Sequence, residues 1–450
     1  MNNLYNWIDA HKSVYEHMSD TIWDYAEIAF HEHRSAQLQA DHLKENGFRV
    51  ATGIAGIDTA FVAEYGSGKP VIAILGEYDA LPELGQYADC PRKDASPDMK
   101  TGHGCGHHLL GTAGVEAVCA LKAEMDNGAF SGTIRYYGCP AEEGGCGKVF
   151  MIRAGCFADV DIAISWHPSS ETKLMGRTNA CKSAKFRFKG TPAHAAASPH
   201  LGRSALDAAE LMNTGVQYLR EHVPDGSRIH YAFLDAGGPK PNVVQQSAEL
   251  IYIVRSADND LTADLFRRLC LIANGAAMMT ETTVEEPVVK VGYANIIFNK
   301  TLGQVVLDAM ADVCNEPWTE EEMAYAHTFN AATGGSAAGY NAGYVNSMTD
   351  TNFPGSTDYA DVSWNVPSIA FSTTSYSADT ALHSWSSTAQ GKSSGAKKGM
   401  HNAAKIMAAC AQKVFTSPEL LAAAKAEFDK SMQGRKYTSL LPADSTPNNK

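Results

Sequence analysis

The stretch Gly138-Cys139-Pro140-Ala141-Glu142-Glu143-Gly144-Gly145 follows a β-rich run, Gly132-Thr-Ile-Arg-Tyr-Tyr137. Carboxylates at the end of such a strand stand where α/β sheets place their chemistry. Pro140, Gly144 and Gly145 supply the turn that presents them. Neighbouring side chains cannot face the same way. One carboxylate is thus free to bind a cation while the other meets a water. Taken alone, the pair also reads as a solvated acidic turn. The rest of the chain decides between these readings by what it offers to gather round the pair.

Upstream, Pro70-Val-Ile-Ala-Ile-Leu-Gly76 is an apolar run fit for a buried strand and leads into Glu77-Tyr78-Asp79. The residues between 84 and 106, rich in Gly, Pro, Asp and Lys, read as a long functional loop. A helix is expected over about 107–126, a short one over 147–154, and a strand over 161–166 that ends at His167-Pro168. Residues 3–47 read as helical. Strands alternating with helices predict an α/β unit with a mixed, mainly parallel sheet.

The texture changes near residue 172. Lys185-Phe-Arg-Phe-Lys189 and Glu249-Leu-Ile-Tyr-Ile-Val-Arg255 alternate as strands with one wet face do. With helices expected over 204–221 and 261–280, the order is β-α-β-β-α-β, that of a ferredoxin-like α+β unit. The chain therefore divides into 1–179, an inserted unit 180–294, and 295–450, where the α/β texture returns. In that last part Asn330–Gly339 reads as a mobile loop, helix 396–415 closes the fold, and 436–450 reads as a loose tail.

At 450 residues the chain exceeds one typical core, and about two to three domains are expected. A net charge of −13 argues against nucleic-acid binding. No apolar run approaches the roughly 20 residues that span a bilayer. The first residues lack the basic flank and apolar core of a signal, so a cytoplasmic protein is expected. The ten cysteines show no CxxC pair, which suggests neither a zinc ribbon nor a disulfide framework.

Four places offer metal ligands at strand ends or adjoining loops: Cys105 and His107 in Gly102-His-Gly-Cys-Gly-His107, the pair Glu142-Glu143, His167, and His383. Each has an ordinary reading when isolated, as a capping loop or a hydrogen-bonded structural histidine. A helix beginning near His107 would favour a Cys105 thiolate. Together, one thiol, three imidazoles and carboxylates suit Zn²⁺ or Mn²⁺ better than Ca²⁺. Five ligands exceed one tetrahedral ion, and a two-metal centre accounts for the number.

In these residues, and in Leu75-Gly-Glu-Tyr-Asp-Ala-Leu-Pro82, Ser198-Pro-His-Leu-Gly-Arg-Ser-Ala-Leu-Asp207 and Ser356-Thr-Asp-Tyr-Ala-Asp-Val-Ser363, the chain resembles the M20 metallopeptidase family in its amidohydrolase branch. The resemblance implies a zinc-peptidase-like catalytic domain with an inserted lid domain that also forms a homodimer. It also allows a related partner chain. It implies two divalent ions, Mn²⁺ or Zn²⁺, on Cys105, His107, Glu143, His167 and His383, and Glu142 as general base. His194, from the lid, would reach the site of the other protomer, while Asn242 and Arg255 would hold a substrate carboxylate. Relatives often open the site with His-x-Asp; here the run is Glu77-Tyr78-Asp79, so Asp79 is expected to support the ligands and Glu77 is not assumed to be one. The implied reaction is hydrolysis of an N-acyl amino acid amide, with a dipeptidase or carboxypeptidase on the same centre, or a non-catalytic subunit of a hetero-oligomeric hydrolase, as alternatives.

Lys173, Arg177, Lys182, Lys185, Arg187 and Lys189 stand out in an acidic chain. They read either as a solvated strand face or as a device attracting a substrate with one or two carboxylates, such as an acyl-glutamate or acyl-aspartate. Arg203 reads either as a further partner for a side-chain carboxylate or as a helix-capping or dimer-surface arginine.

Overall fold

The computed structural model describes residues 2–348, 352–353 and 355–447. Its main sheet has seven strands, in the order Arg49–Thr52, Phe61–Gly66, Thr133–Gly138, Val71–Gly76, Ile162–Ser169, Ser368–Thr374, Lys173–Leu174. The four strands beginning at 133, 71, 162 and 368 run parallel, while the pairings at both edges are antiparallel. The sheet is therefore mixed, with parallel pairing confined to its middle. Every residue of Val71–Gly76 and of Ser368–Thr374 is buried, as expected for central strands covered on both faces. Helices Asn2–Tyr25, His107–Asp126 and Ser394–Thr416 pack on one face, where the largest apolar core lies. A second core, including Tyr137, Phe157, Tyr359 and Trp364, fills the other face.

The segment Ala180–Tyr293 builds a separate sheet from strands Ala180–Lys189, Arg228–Asp235, Ser247–Ser256, Thr283–Val284 and Val288–Tyr293. Helices Ala205–Arg220 and Asn259–Met279 cover it over a core of its own. Both start as their sequences direct: the Ser204 hydroxyl and the Asp258 carboxylate each accept a backbone N–H of the first turn.

Several expectations are corrected. The N-terminal helical reading breaks into Asn2–Tyr25 and His33–Glu45, because Ala26 and Phe30 take positive φ and the chain turns between them. Asn330–Thr333 ends a helix, Glu320–Thr333, whose start is fixed by a Thr319/Glu322 capping box. Pro418–Met432 forms a further helix that the sequence reading lacks. Leu440 and Leu441 are buried, so the tail packs, its residues 448–450 lying outside the described ones. No helix among the described residues is long and apolar enough to cross a membrane.

Candidate metal centre

Register brings the site together. Gly76 pairs with Gly138, so the residues after both strands leave the sheet side by side. Strand Ile162–Ser169 lies on the other side of Val71–Gly76 and carries His167, which pairs with Ser372 of the next strand. Asp79, Glu142, Glu143 and His167 thus emerge around the carboxyl ends of adjacent parallel strands.

Cys105 and His107 arrive from the loop ahead of helix His107–Asp126. Gly106 takes φ +77°, and a Cβ there would fall 2.1 Å from the Tyr376 hydroxyl oxygen and 2.7 Å from Pro168 Cγ. Only glycine fits, which explains its place between the two ligand candidates. His383 comes from the loop after Ser368–Thr374 at φ +59°. Its N–H donates to the Gly104 carbonyl (2.9 Å), and the Ser387 hydroxyl donates to the same oxygen (2.7 Å). These bonds fasten the two ligand loops together.

The five candidates expected from sequence meet. Cys105 Sγ lies 3.2 Å from His167 Nε2 and 3.3 Å from His383 Nε2, and His383 Nε2 lies 2.9 Å from Glu143 Oε1. Their donor atoms form two overlapping groups, Cys105–His107–His167 and Cys105–Glu143–His383, each within 4.8 Å; a third joins Glu77, His107 and Glu142. The Asp79 carboxylate sits behind them, 2.8 Å from His107 Nδ1, and its other oxygen accepts the Glu143 N–H at 2.8 Å. Asp79 thereby orients one candidate ligand by its ring and another by its backbone.

The donor set fits divalent cations. His107 Nε2 and Glu143 Oε1 are buried without a hydrogen-bond partner, although His107 Nε2 is 3.2 Å from Glu77 Oε2 and Glu143 Oε1 is 2.9 Å from His383 Nε2. Short contacts without hydrogen-bond geometry are what lone pairs converging on an ion produce. His167 Nδ1 lies 2.8 Å from the Pro168 carbonyl, which can only accept, so the proton sits there and Nε2 is left as a lone pair facing Cys105. Burial, helped by His107, lowers the His167 pKa to about 4, which keeps the ring neutral.

Charge is unbalanced in the opposite sense elsewhere. Burial, then Glu143, pushes the Cys105 thiol well above its usual range. The helix start therefore does not by itself make the thiolate; a cation would. Burial, with Glu77 and Glu143 close by, likewise pushes the Glu142 carboxyl well up. Burial opposes ionisation of Glu143 too, but His383 and His107 hold its pKa below the ordinary value.

Three participants escaped the sequence reading. Lys148 Nζ is fully buried between Glu77 Oε1 and Asp358 Oδ1, 2.5 Å from each, and its backbone N–H donates to Asp358 Oδ2. Glu32 reaches across from the N-terminal segment, where its Oε1 accepts the Ala141 N–H (2.9 Å) and pins the acid turn. A lone Lys148 opening an apolar helix, Gly147-Lys-Val-Phe-Met151, was the available signal for the first; for Asp358 it was the acid within the Ser356–Ser363 motif. Glu32 carried no signal.

The inserted unit's candidates do not join the cluster within this chain. His194 and Asn242 are exposed; His194 Nδ1 accepts the N–H groups of Ala196 and Ala197. Arg203 is paired with Glu281 at 2.8 Å. Arg255 donates to the Ser356 hydroxyl at 2.9 Å. The basic stretch is largely spoken for: Lys173 pairs with Glu171, Lys185 and Arg187 with Glu249, and Lys189 with Glu285, while Lys182 lies over the Phe266 ring. Three carboxylates thus offset part of the charge of these six residues.

The model of peptidase family M20/M25/M40 matches residues 73–413. The chain is 40% identical to the B subunit of p-aminobenzoyl-glutamate hydrolase of Escherichia coli (strain K12), with 99% of each covered. It is 29% identical to Xaa-Arg dipeptidase of Mus musculus, over 92% of this chain and 89% of that one. Among solved structures, a dinuclear metal binding peptidase from the M20 family of Bacillus subtilis shares the fold with a TM-score of 0.62 at 18% identity, covering 90% of this chain and 99% of that one.

Proposed function

The chain belongs to peptidase family M20/M25/M40 and is a hydrolase of amide bonds; from that premise we propose that it cleaves N-acyl amino acids, with an aroyl- or acyl-glutamate as the preferred class and acyl-aspartate next. The observation that carries the reading is the convergence of Cys105, His107, Glu143, His167 and His383 on one centre with the Glu142 carboxyl beside it. The end-to-end likeness to a chain of the p-aminobenzoyl-glutamate hydrolase from Escherichia coli supports the acyl-glutamate class.

The five residues would hold two divalent cations, Mn²⁺ or Zn²⁺. When bound, these supply the positive charge that acidifies a water and polarises the scissile carbonyl. Glu142 takes the proton of the attacking water and delivers it to the leaving amine. Asp79 holds the His107 ring and the Glu143 backbone in place throughout. Residues 180–294 serve as lid and dimerisation domain between the two parts of a catalytic domain, 1–179 and 295–450. The strand Arg228–Asp235 is an edge of its sheet and exposes Tyr231, Phe233 and Leu234, an apolar rim suited to a second copy. In such a homodimer His194 would support the oxyanion in the site of the other protomer, with Asn242 and Arg255 on the substrate carboxylate.

The test is a panel of N-acyl amino acids and dipeptides, assayed with the chain expressed alone and with added Mn²⁺ or Zn²⁺. Cleavage of acyl-glutamates ahead of Xaa-Arg dipeptides is expected. The reverse order favours the dipeptidase reading, which the mouse relative supports. No cleavage without a related second chain favours a role as one subunit of a larger hydrolase, which the name of the Escherichia coli relative supports.

A further inference from the structure

Tyr293 ends the strand Val288–Tyr293, at the root of the inserted sheet, where it pairs with Cys181. Its ring is buried in a small apolar cluster with Cys146, Val149 and Phe150. Its hydroxyl donates to the Glu142 carbonyl (2.6 Å) and accepts the Gly144 N–H (3.1 Å). One hydroxyl therefore ties the backbone on both sides of Glu143. The following residue is fixed as well, since the Ala294 N–H donates to Asp361 Oδ2 at 3.1 Å.

The turn it grips needs holding. Ala141 and Cys146 both take positive φ, +59° and +61°. Such conformations persist only where the surroundings over-determine them. Glu32 and Asp79 supply one bond each from the catalytic part of the chain. Tyr293 supplies two, and it alone belongs to the inserted sheet.

We propose that Tyr293 is a positioning residue: its hydroxyl sets the backbone of the acid turn from the root of the inserted sheet, so that a shift of that sheet redirects the Glu142 and Glu143 carboxylates. The inference rests on the reading of these two as base and ligand.

The experiment compares wild type, Tyr293→Phe and Tyr252→Phe as full chains. The control also loses a buried hydroxyl of the inserted sheet, one bonded to Asn213 and not to the turn. Three quantities are read: amide deuterium exchange over residues 140–147, Mn²⁺ affinity by calorimetry, and kcat and KM. In Tyr293→Phe, exchange in the turn should rise on the order of tenfold, as loss of about one hydrogen bond allows. Mn²⁺ should bind more weakly, and kcat should fall roughly ten- to a hundredfold at nearly unchanged KM. Tyr252→Phe should change none of these.

Unchanged exchange in the turn overturns the proposal. So does faster exchange with Mn²⁺ affinity and kcat both intact, or an equal effect from Tyr252→Phe. If wild type cleaves none of the acyl amino acids offered, the functional reading fails, while exchange and Mn²⁺ affinity still decide the role of Tyr293.

Discussion

The Lys148 ammonium lies 2.5 Å from Glu77 Oε1 in a pocket where the lysine side chain has no exposure to solvent and the glutamate 4%. Burial alone would lower the lysine's pKa; Asp358 and Glu77 hold it well above the usual value. The other Glu77 oxygen stands 3.2 Å from His107 Nε2, so this ion pair borders the metal centre. Lys148→Met would strand two buried carboxylates. Removing one partner of such a pair costs about 3–5 kcal/mol. Urea unfolding of the metal-free protein should show a loss of that order; a midpoint equal to that of wild type would contradict the network's structural role.

Glu142→Gln keeps the shape of the side chain and abolishes its basicity. Elemental analysis should find the same metal content as in wild type, while turnover drops by about 10²–10⁴. Full activity in this variant would remove Glu142 from the reaction.

Chelation tests the centre independently of substrate. Stripping the protein should abolish turnover and lower its melting temperature, because the cluster gathers groups that burial drives toward neutrality. Restoring Mn²⁺ or Zn²⁺ at about 100 times the dissociation constant should return about 2.7 kcal/mol of stability per occupied site. A melting temperature indifferent to metal would count against these residues as ligands.

If His194 acts across a dimer, two inactive variants should rescue one another. Mixing Glu142→Gln with His194→Ala and allowing protomers to exchange forms hybrids with one intact site. Activity should reappear in the mixture and vanish when Phe233→Glu blocks association through the exposed edge strand. A mixture as inactive as its components would place His194 outside the reaction.

Asp361 provides a pH signature away from the centre. Burial pushes its carboxyl up to about 7 from an ordinary 3.8, although it accepts hydrogen bonds from the Tyr437 hydroxyl (2.7 Å) and the Ala294 N–H (3.1 Å). The unfolded chain loses this proton near pH 3.8 and the folded chain keeps it to about 7. The stability it contributes is therefore complete below the lower value and lost as pH rises through the upper one. At about 1.4 kcal/mol per unit, the loss is on the order of a few kcal/mol. Asp361→Asn should flatten unfolding free energy across that window in metal-free protein; an unaltered slope would refute the assignment.

Much of this molecule was legible in one dimension. The all-apolar run 71–76 and the helix from His107 to Asp126 stood out because periodicity and glycine punctuation are local properties. The inserted α+β unit stood out because its strands alternate. Asn330–Thr333 misled because small residues that suggest a loop also tolerate the end of a capped helix. The partners of the basic stretch, Glu249 and Glu285, were not legible because they lie far along the chain.

Along the chain alone one reads the inventory of donors, a thiol, imidazoles and carboxylates, with Cys105, His107, Glu143 and His167 each next to a glycine or a proline. Local chemistry suffices for that, since ligand type and turn residues are written in adjacent positions. That Lys148 meets Asp358 across 210 positions, that Glu77 borders His107, and that Tyr293 grips the acid turn from a different sheet emerged with the folded arrangement. Those contacts depend on strand register and on which groups lose water together, and neither quantity exists until the chain has closed on itself.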